Sequence, residues 1–169
     1  MKRLFAAVAV VAAMVGSSAS AFDPADLKKL KETNECVECD LSKADLSKAN
    51  LSKANLSKAN LRFADLTSAN LLNANLSNAN LIGANLTHAK LNGANLTGAN
   101  LNLANLTNAK LSYANLTGAN LTDANLSKAW LIEADLINAD LTGTNLSNAN
   151  LIGADLTGTA LTGTDLYYV

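Results

Sequence analysis

The chain has little aromatic content and only one proline. Aromatic residues make up 4% of its 169 residues, although a globular core of this size normally depends on Phe, Tyr and Trp for bulk. The apolar residues, 49% of the total, are mainly leucine and alanine, and much of the remainder is Asn, Thr and Ser. This composition is typical neither of a disordered chain nor of an ordinary globular domain.

The chain also lacks an excess of charge of either sign. Its formal net charge is −1, and this becomes −3 when Lys2 and Arg3 are left out. Binding to nucleic acid relies on clustered Lys and Arg that release counterions, so we expect no nucleic-acid partner. Two cysteines and the lone His88 are too few for a structural zinc site. The sequence therefore predicts no metal, no cofactor and no catalytic residues.

The first 21 residues have the layout of a secretory signal peptide. Met1-Lys2-Arg3 is a short positive start, an apolar run follows from Leu4 to Gly16, and small residues stand at Ala19 and Ala21. The run is shorter than the roughly 20 residues that a membrane-spanning helix needs. We expect cleavage after Ala21, export to a periplasm, a thylakoid lumen or the extracellular space, and no membrane attachment afterwards.

A period of five residues organises the chain from Leu41 to Leu166. Leucine occupies every fifth position of this segment, which makes 26 units, and alanine stands two residues before nearly every leucine. An α-helix would spread these leucines around its axis, and a straight strand would send alternate leucines to opposite faces. A turn in each unit solves this problem, because the chain then coils with Ala and Leu inside and pairs successive coils at about 4.8 Å.

The units also carry a recognisable signature. Gly and Asn recur two residues after leucine, where a turn with positive φ favours them. Ala44–Lys48 and Ala94–Gly98 fit the pattern A-(D/N)-L-x-x, and over residues 40–166 the chain resembles the pentapeptide-repeat family. The resemblance implies an all-β solenoid, a right-handed quadrilateral β-helix with four units, about 20 residues, in each coil. A rod on the order of 30 Å long follows from the coil spacing.

The segment 22–39 is expected to cap the first coil of the solenoid formed by residues 40–169. Asp23 is a good helix N-cap, and Pro24 suits the first helical position. Leu27 and Leu30 share one helical face. We predict a short helix that lays this face on the first coil, because an open coil exposes leucines and unpaired backbone groups.

At the other end, Tyr167, Tyr168 and Val169 are expected to cover the last coil. A coil end is also the surface through which a homodimer of this architecture is possible.

Cys36 and Cys39 form a Cys-Val-Glu-Cys motif just before the repeats. When the five-residue pattern is extended backwards, Cys36 takes a leucine position and Cys39 an alanine position, so both side chains point inward. They begin and end one four-residue turn, which permits a disulfide with a gain of about 2 kcal/mol. The alternatives are a pair of buried free thiols and a redox-active pair. The redox-active pair would lack the βαβ context of a thioredoxin-like site.

One surface column departs from the repeat. At intervals of 20 residues from Asn70, the residue before leucine is Lys90, then Lys110, then Trp130. A cation–π contact between Lys110 and Trp130 is expected, and Tyr113 and Ile132 lie in neighbouring columns. Exposed Trp beside apolar residues is typical of a binding hot spot, and drift in a decaying repeat is the alternative. The column is therefore a candidate interaction patch.

These features favour a non-enzymatic exported scaffold or protein-interaction module with an unknown protein partner. A redox-responsive protein that uses the cysteine pair is the first alternative. A DNA mimic that binds topoisomerases, as some members of the resembled family do, is the second. It would need a cytoplasmic location and strongly acidic columns, whereas this chain has a signal peptide and mainly Asn at those positions.

Overall fold

The computed structural model describes residues 22–169, so the expected signal peptide, residues 1–21, lies outside the described residues. One helix, α1, spans Pro24–Thr33. Asp23 is its N-cap and accepts the N–H of Ala25 at 2.8 Å, and Pro24 occupies the first turn. The helix ends because Asn34 adopts a left-handed conformation, with φ 61°. The predicted helix and its cap are thus confirmed.

After α1 the chain forms a solenoid of 20-residue coils. Each five-residue unit contributes one bridge residue, and all bridges are parallel and join residues 20 apart, from Glu35–Asn55 to Asn145–Asp165. Because a bridge never extends to a second residue, the backbone consists of single-residue bridges between turns rather than of long strands. The four-unit coil is confirmed, and the right-handed winding that the resemblance implies stays a prediction.

An inner unit with Asn or Asp before leucine pairs all five of its backbone N–H groups, as the unit Asn100–Ala104 illustrates. The N–H of Asn100 donates to the coil below at 2.9 Å, and those of Leu101 and Leu103 donate to the coil above at 2.7 and 3.0 Å. Ala104 closes the turn with a 2.9 Å bond to the C=O of Leu101. The remaining N–H, that of Asn102, donates to the side-chain Oδ1 of Asn100 at 3.1 Å. The Asn or Asp before leucine is therefore part of the turn.

The turns require a left-handed residue two positions after every leucine. Every residue at this position from Glu38 to Tyr168 has φ between 52° and 72°, the left-handed conformation that the third residue of a type II turn needs. The predicted preference for Gly and Asn is confirmed, but Phe63, Leu103 and Tyr113 adopt the same conformation. The backbone pairing on both sides of each turn holds these bulkier residues there against their own preference.

The core is one continuous stack of leucine and alanine. From Cys36 to Ala149 the inward residues are at most 3% exposed. Thr144 replaces alanine in this stack, and its buried hydroxyl donates to the C=O of Leu121 at 2.7 Å. The narrow interior leaves room only for these side chains.

The helix α1 covers the N-terminal end of this stack. Leu30 is 2% exposed, and Leu27 and Phe22 pack against the core. The segment also pairs with Asp40 as a coil would: the N–H of Asp23 donates to the C=O of Asp40 at 3.0 Å, and the carboxylate of Asp26 accepts the N–H of Asp40 at 2.8 Å. The predicted capping role of this segment is therefore supported by both apolar and polar contacts.

The C-terminal residues do not cover the last coil, so this prediction is wrong. Leu161 and Leu166 are 41% and 46% exposed. Tyr167 and Tyr168 occupy the two turn positions of the last unit and point outward, with their ring centroids 4.1 Å apart. The repeat conformation continues to the end of the described chain, and its turn geometry directs both rings away from the core. Within residues 22–169, no helix has the length and apolar character needed to cross a membrane.

Candidate functional site

The cysteine pair lies under the helix α1. Cys36 and Cys39 are 0% and 2% exposed, their Cα atoms are 5.2 Å apart and their sulfurs lie at disulfide-bonding distance. The four-residue turn brings them together, because they hold the first and last positions of the first turn of the solenoid. The Sγ of Cys36 also contacts the C=O of Asp26 in the helix at 3.3 Å. The inward placement predicted from the sequence is thus confirmed, and the contact between Cys36 and Asp26 places α1 against the first turn.

The burial of this pair bears on its chemistry. A redox partner must reach a sulfur atom directly, whereas both cysteines are buried and the Sγ of Cys36 lies against the C=O of Asp26 in α1. Neither cysteine is accessible at the surface of the described residues.

The second candidate site is the column Asn50, Asn70, Lys90, Lys110, Trp130 and Asn150, here called the Lys–Trp column. Parallel bridges join Lys90 to Lys110 and Lys110 to Trp130, so these three side chains project from adjacent coils. The Nζ of Lys110 lies 5.3 Å from the centroid of the Trp130 ring, within the range of a cation–π contact. Trp130 is 52% exposed, so the other part of the ring faces solvent.

Two further predicted residues flank this column at the next corner of the coil. Tyr113 is 63% exposed and Ile132 is half-buried, and the N–H of Tyr113 donates to the C=O of Ile132 at 2.9 Å. The structure therefore brings all five predicted patch residues to one side of the solenoid. Their function as a binding surface stays a prediction.

The Lys–Trp column breaks the hydrogen-bonding rule of the repeat. In an ordinary unit the Asn or Asp before leucine accepts the N–H of the second residue after it. Lysine and tryptophan side chains have no acceptor, so the turns that follow Lys90, Lys110 and Trp130 lose this bond. Of the 26 positions from Asp40 to Asp165, only these three and Ala160 are neither Asn nor Asp. Three of the four exceptions thus lie on consecutive coils of a single column.

Sequence reasoning missed a second exposed apolar site, which lies at the corner of the coil diagonally opposite to the corner of Tyr113. Phe63 and Leu103 are 52% and 59% exposed, and they belong to the same column two coils apart. Gly83 lies between them, and a methyl group there would stand 2.5 Å from the Phe63 ring. The ring therefore lies across Gly83 toward Leu103. Comparison of turn residues at intervals of 20 would have identified this pair.

The aspartates of the other columns accept turn bonds. The Thr157 hydroxyl donates to Asp155 Oδ1 at 2.6 Å, and this bond and the backbone N–H of Thr157 lower the pKa of Asp155. The same contacts with Thr142 lower the pKa of Asp140. His88 is exposed at a corner. In the part of the chain described here, no group of three or more His, Cys, Asp and Glu residues is placed to hold a metal ion.

Comparisons with known proteins identify what this chain is similar to. A family model described as "Pentapeptide repeats (8 copies)" matches residues 35–72, 59–98, 99–136 and 131–166. No curated protein matches the chain.

Solved structures of related proteins are also found. A pentapeptide-repeat protein from the thylakoid lumen of Arabidopsis thaliana is 30% identical, over 68% of this chain and 70% of that one, with a TM-score of 0.45. One from the cyanobacterium Cyanothece 51142 is 32% identical over 84% and 95% of the two chains, with a TM-score of 0.34. HetL, which is involved in heterocyst differentiation regulation in the cyanobacterium Nostoc, is 31% identical over 77% and 84%, with a TM-score of 0.24.

Proposed function

We propose a function for this chain from the fact that it belongs to the pentapeptide-repeat family. It is a non-enzymatic exported scaffold, and it binds another protein through the Lys–Trp column. The solenoid is rigid and its core is filled, so its chemistry is confined to the outer columns. A flat, regular surface of this kind suits recognition of a partner rather than catalysis.

The observation that carries the proposal is the loss of three turn bonds on consecutive coils. Each lost side-chain acceptor destabilises the fold by about 1 kcal/mol, the usual net contribution of such a bond. Drift in a decaying repeat would scatter substitutions over all four columns, as at Ala160. Their concentration in one column, together with the cation–π contact at Trp130, supports selection for binding at the expense of stability.

Replacing Trp130 with alanine or asparagine should abolish capture of the partner while leaving folding intact. Asparagine is the residue of the repeat itself, so Trp130→Asn restores the acceptor for the Ile132 N–H and should melt at the same temperature or slightly higher. The measurement is affinity capture of the mature protein from its native compartment, together with thermal melting.

Phe63→Asn is the matched control, because it removes an equally exposed aromatic residue from the opposite corner. Capture that survives both Trp130 variants, or that disappears equally with Phe63→Asn, would contradict the proposed role of the column.

For the cysteine pair we propose a structural disulfide that closes the first turn and pins the first coil. Export would place the protein in an oxidising compartment, and the relative from a thylakoid lumen supports an exported location. The redox-responsive alternative is less favoured because both sulfurs are buried. The topoisomerase-binding alternative is less favoured because the outer columns carry mainly Asn, with acidic residues chiefly near their ends.

We propose that two copies of this chain form a homodimer through the C-terminal ends of their solenoids. The N-terminal end is covered by α1, whereas Leu161 and Leu166 are exposed at the C-terminal end. Pairing of two such ends by a two-fold axis buries both leucine sets and leaves no further open end. Sedimentation at increasing concentration should show a monomer–dimer equilibrium that Leu166→Asp abolishes; a wild-type monomer at every concentration contradicts this interface.

A further inference from the structure

The solenoid separates its charges between sides, although its net charge is small. Four flat columns surround the coil, each formed by the residue before leucine in every fourth unit. Three of them contain acidic residues and no basic ones; their acidic members are Glu35, Asp40, Asp45, Asp65, Asp135, Asp140, Asp155 and Asp165. The Lys–Trp column is the reverse, with two lysines and no carboxylate. This arrangement depends on the coil length and is invisible in the linear sequence.

The corners beside the Lys–Trp column extend its positive charge. Lys48 and Lys128 lie at the preceding corner and Lys53 at the following one, all of them exposed. Glu133 is the one acidic residue among these positions in the described solenoid. We call the Lys–Trp column with these three corner lysines the basic side. Lysines also stand at the other two corners, so the basic side is distinguished by its flat column, which has two lysines and no carboxylate to repel anionic groups.

The basic side also has an apolar anchor in line with its charges. Lys90, Lys110 and Trp130 follow one another at the coil spacing of about 4.8 Å, and Tyr113 is exposed beside them. A linear segment that runs along the column meets two cations and then an aromatic ring. The other three columns offer neither feature.

From this charge complementarity we propose that the basic side binds an acidic polypeptide segment, with its carboxylates against Lys90 and Lys110 and one apolar side chain against Trp130. This inference rests on the proposed function of the column and adds the chemistry of the partner. Exposed ion pairs are individually weak, so the specificity comes from two lysines and one ring in fixed order on a rigid surface.

The test uses a short synthetic peptide of alternating glutamate and serine with one central leucine, and a control peptide in which lysine replaces glutamate. Trp130 is the only tryptophan of the chain, so its fluorescence reports binding at the column directly. We expect a saturable change with the acidic peptide that weakens as salt is added, and none with the basic peptide. Equal responses to both peptides, or no response to either, would overturn the proposal.

Charge reversal then assigns the interaction to the column. Lys90→Glu/Lys110→Glu should weaken binding of the acidic peptide by about tenfold or more. Lys29→Glu/Lys43→Glu, which changes the net charge equally at exposed positions elsewhere, should change it by no more than about twofold. Lys90→Asn/Lys110→Asn restores two turn bonds, so it should weaken binding while raising the melting temperature. Equal losses in the two charge-reversed proteins would refute a specific role for the column.

Other anionic ligands are tested in separate titrations. Heparin, a single-stranded oligonucleotide and phosphatidylglycerol vesicles are added under the same conditions. Stronger binding of any of them than of the acidic peptide would overturn the assignment to a protein segment. A captured partner that requires Trp130 but is indifferent to Lys90 and Lys110 would contradict only this inference, and the proposed scaffold function would stand.

Discussion

Replacing Leu101 with alanine is expected to lower the free energy of unfolding by about 2–5 kcal/mol, whereas Leu161→Ala should cost no more than about 1.5 kcal/mol. Both leucines occupy the same column and the same position in the repeat. They differ in exposure, which is 0% for Leu101 and 41% for Leu161. Urea unfolding monitored by circular dichroism gives both values.

The difference follows from the neighbours of each coil. The coil of Leu101 is held at fixed spacing by hydrogen bonds to coils on both sides, so a cavity there cannot collapse. Leu161 has a coil on one side only, and the loss of its methyl groups leaves open surface instead of a cavity. Because each coil contacts only its neighbours, Leu101→Ala should also broaden the unfolding transition as the two halves uncouple.

Equal losses for Leu101→Ala and Leu161→Ala would mean that the last coil is covered in solution. Dilution distinguishes the cause, because a cover formed by a second copy is lost at low protein concentration. A loss below about 1 kcal/mol at Leu101 would contradict the tightly packed core.

Replacing Leu30 with aspartate is expected to release the cap and expose the cysteine pair. Leu30 is the buried contact of α1 with the first coil, and an unpaired carboxylate in its place costs on the order of 3 kcal/mol. The helix should therefore detach more often. Alkylation and mass measurement of the denatured wild-type protein first establish that Cys36 and Cys39 carry no free thiol.

The readout is the rate at which a small reductant releases thiols under native conditions. Leu30→Asp should raise this rate roughly tenfold or more, since each loss of about 1.4 kcal/mol multiplies the opened population by ten. Lys29→Asp adds the same carboxylate at an exposed position of the same helix and should leave the rate near the wild-type value. Fast reduction already in the wild-type protein would show that α1 does not protect the pair, and would revive the redox-responsive alternative.

The five-residue period was sufficient to predict most of the fold. A leucine at every fifth position excludes a helix and a straight strand, and the recurrent Gly and Asn two residues later predict a left-handed turn residue. Asp23, Pro24, Leu27 and Leu30 were likewise sufficient to predict α1, because capping and helical spacing are local properties. The inward position of Cys36 and Cys39 followed from extending the same period backwards.

The C-terminal end was predicted wrongly for a local reason. Tyr167 and Tyr168 are large apolar residues at an open end, and hydrophobicity alone suggests that they fold over it. They stand at turn positions, however, and the N–H of Tyr167 donates to Asp165 Oδ1 at 3.0 Å, as in the other units that have Asn or Asp before leucine. The turn thus fixes the direction of these side chains more strongly than their apolar character does.

The sequence by itself determined the unit: an Ala–Leu core pair, a turn that follows it and a carboxamide or carboxylate that completes the turn. The tertiary structure decided which units meet. Bridges between residues 20 apart place Lys90, Lys110 and Trp130 in one line, set Phe63 and Leu103 at the opposite corner and gather the acidic residues on the other three columns. The reason is physical: a turn is made by four consecutive residues, whereas the pairing of one coil with the next depends on backbone bonds between segments far apart in the chain.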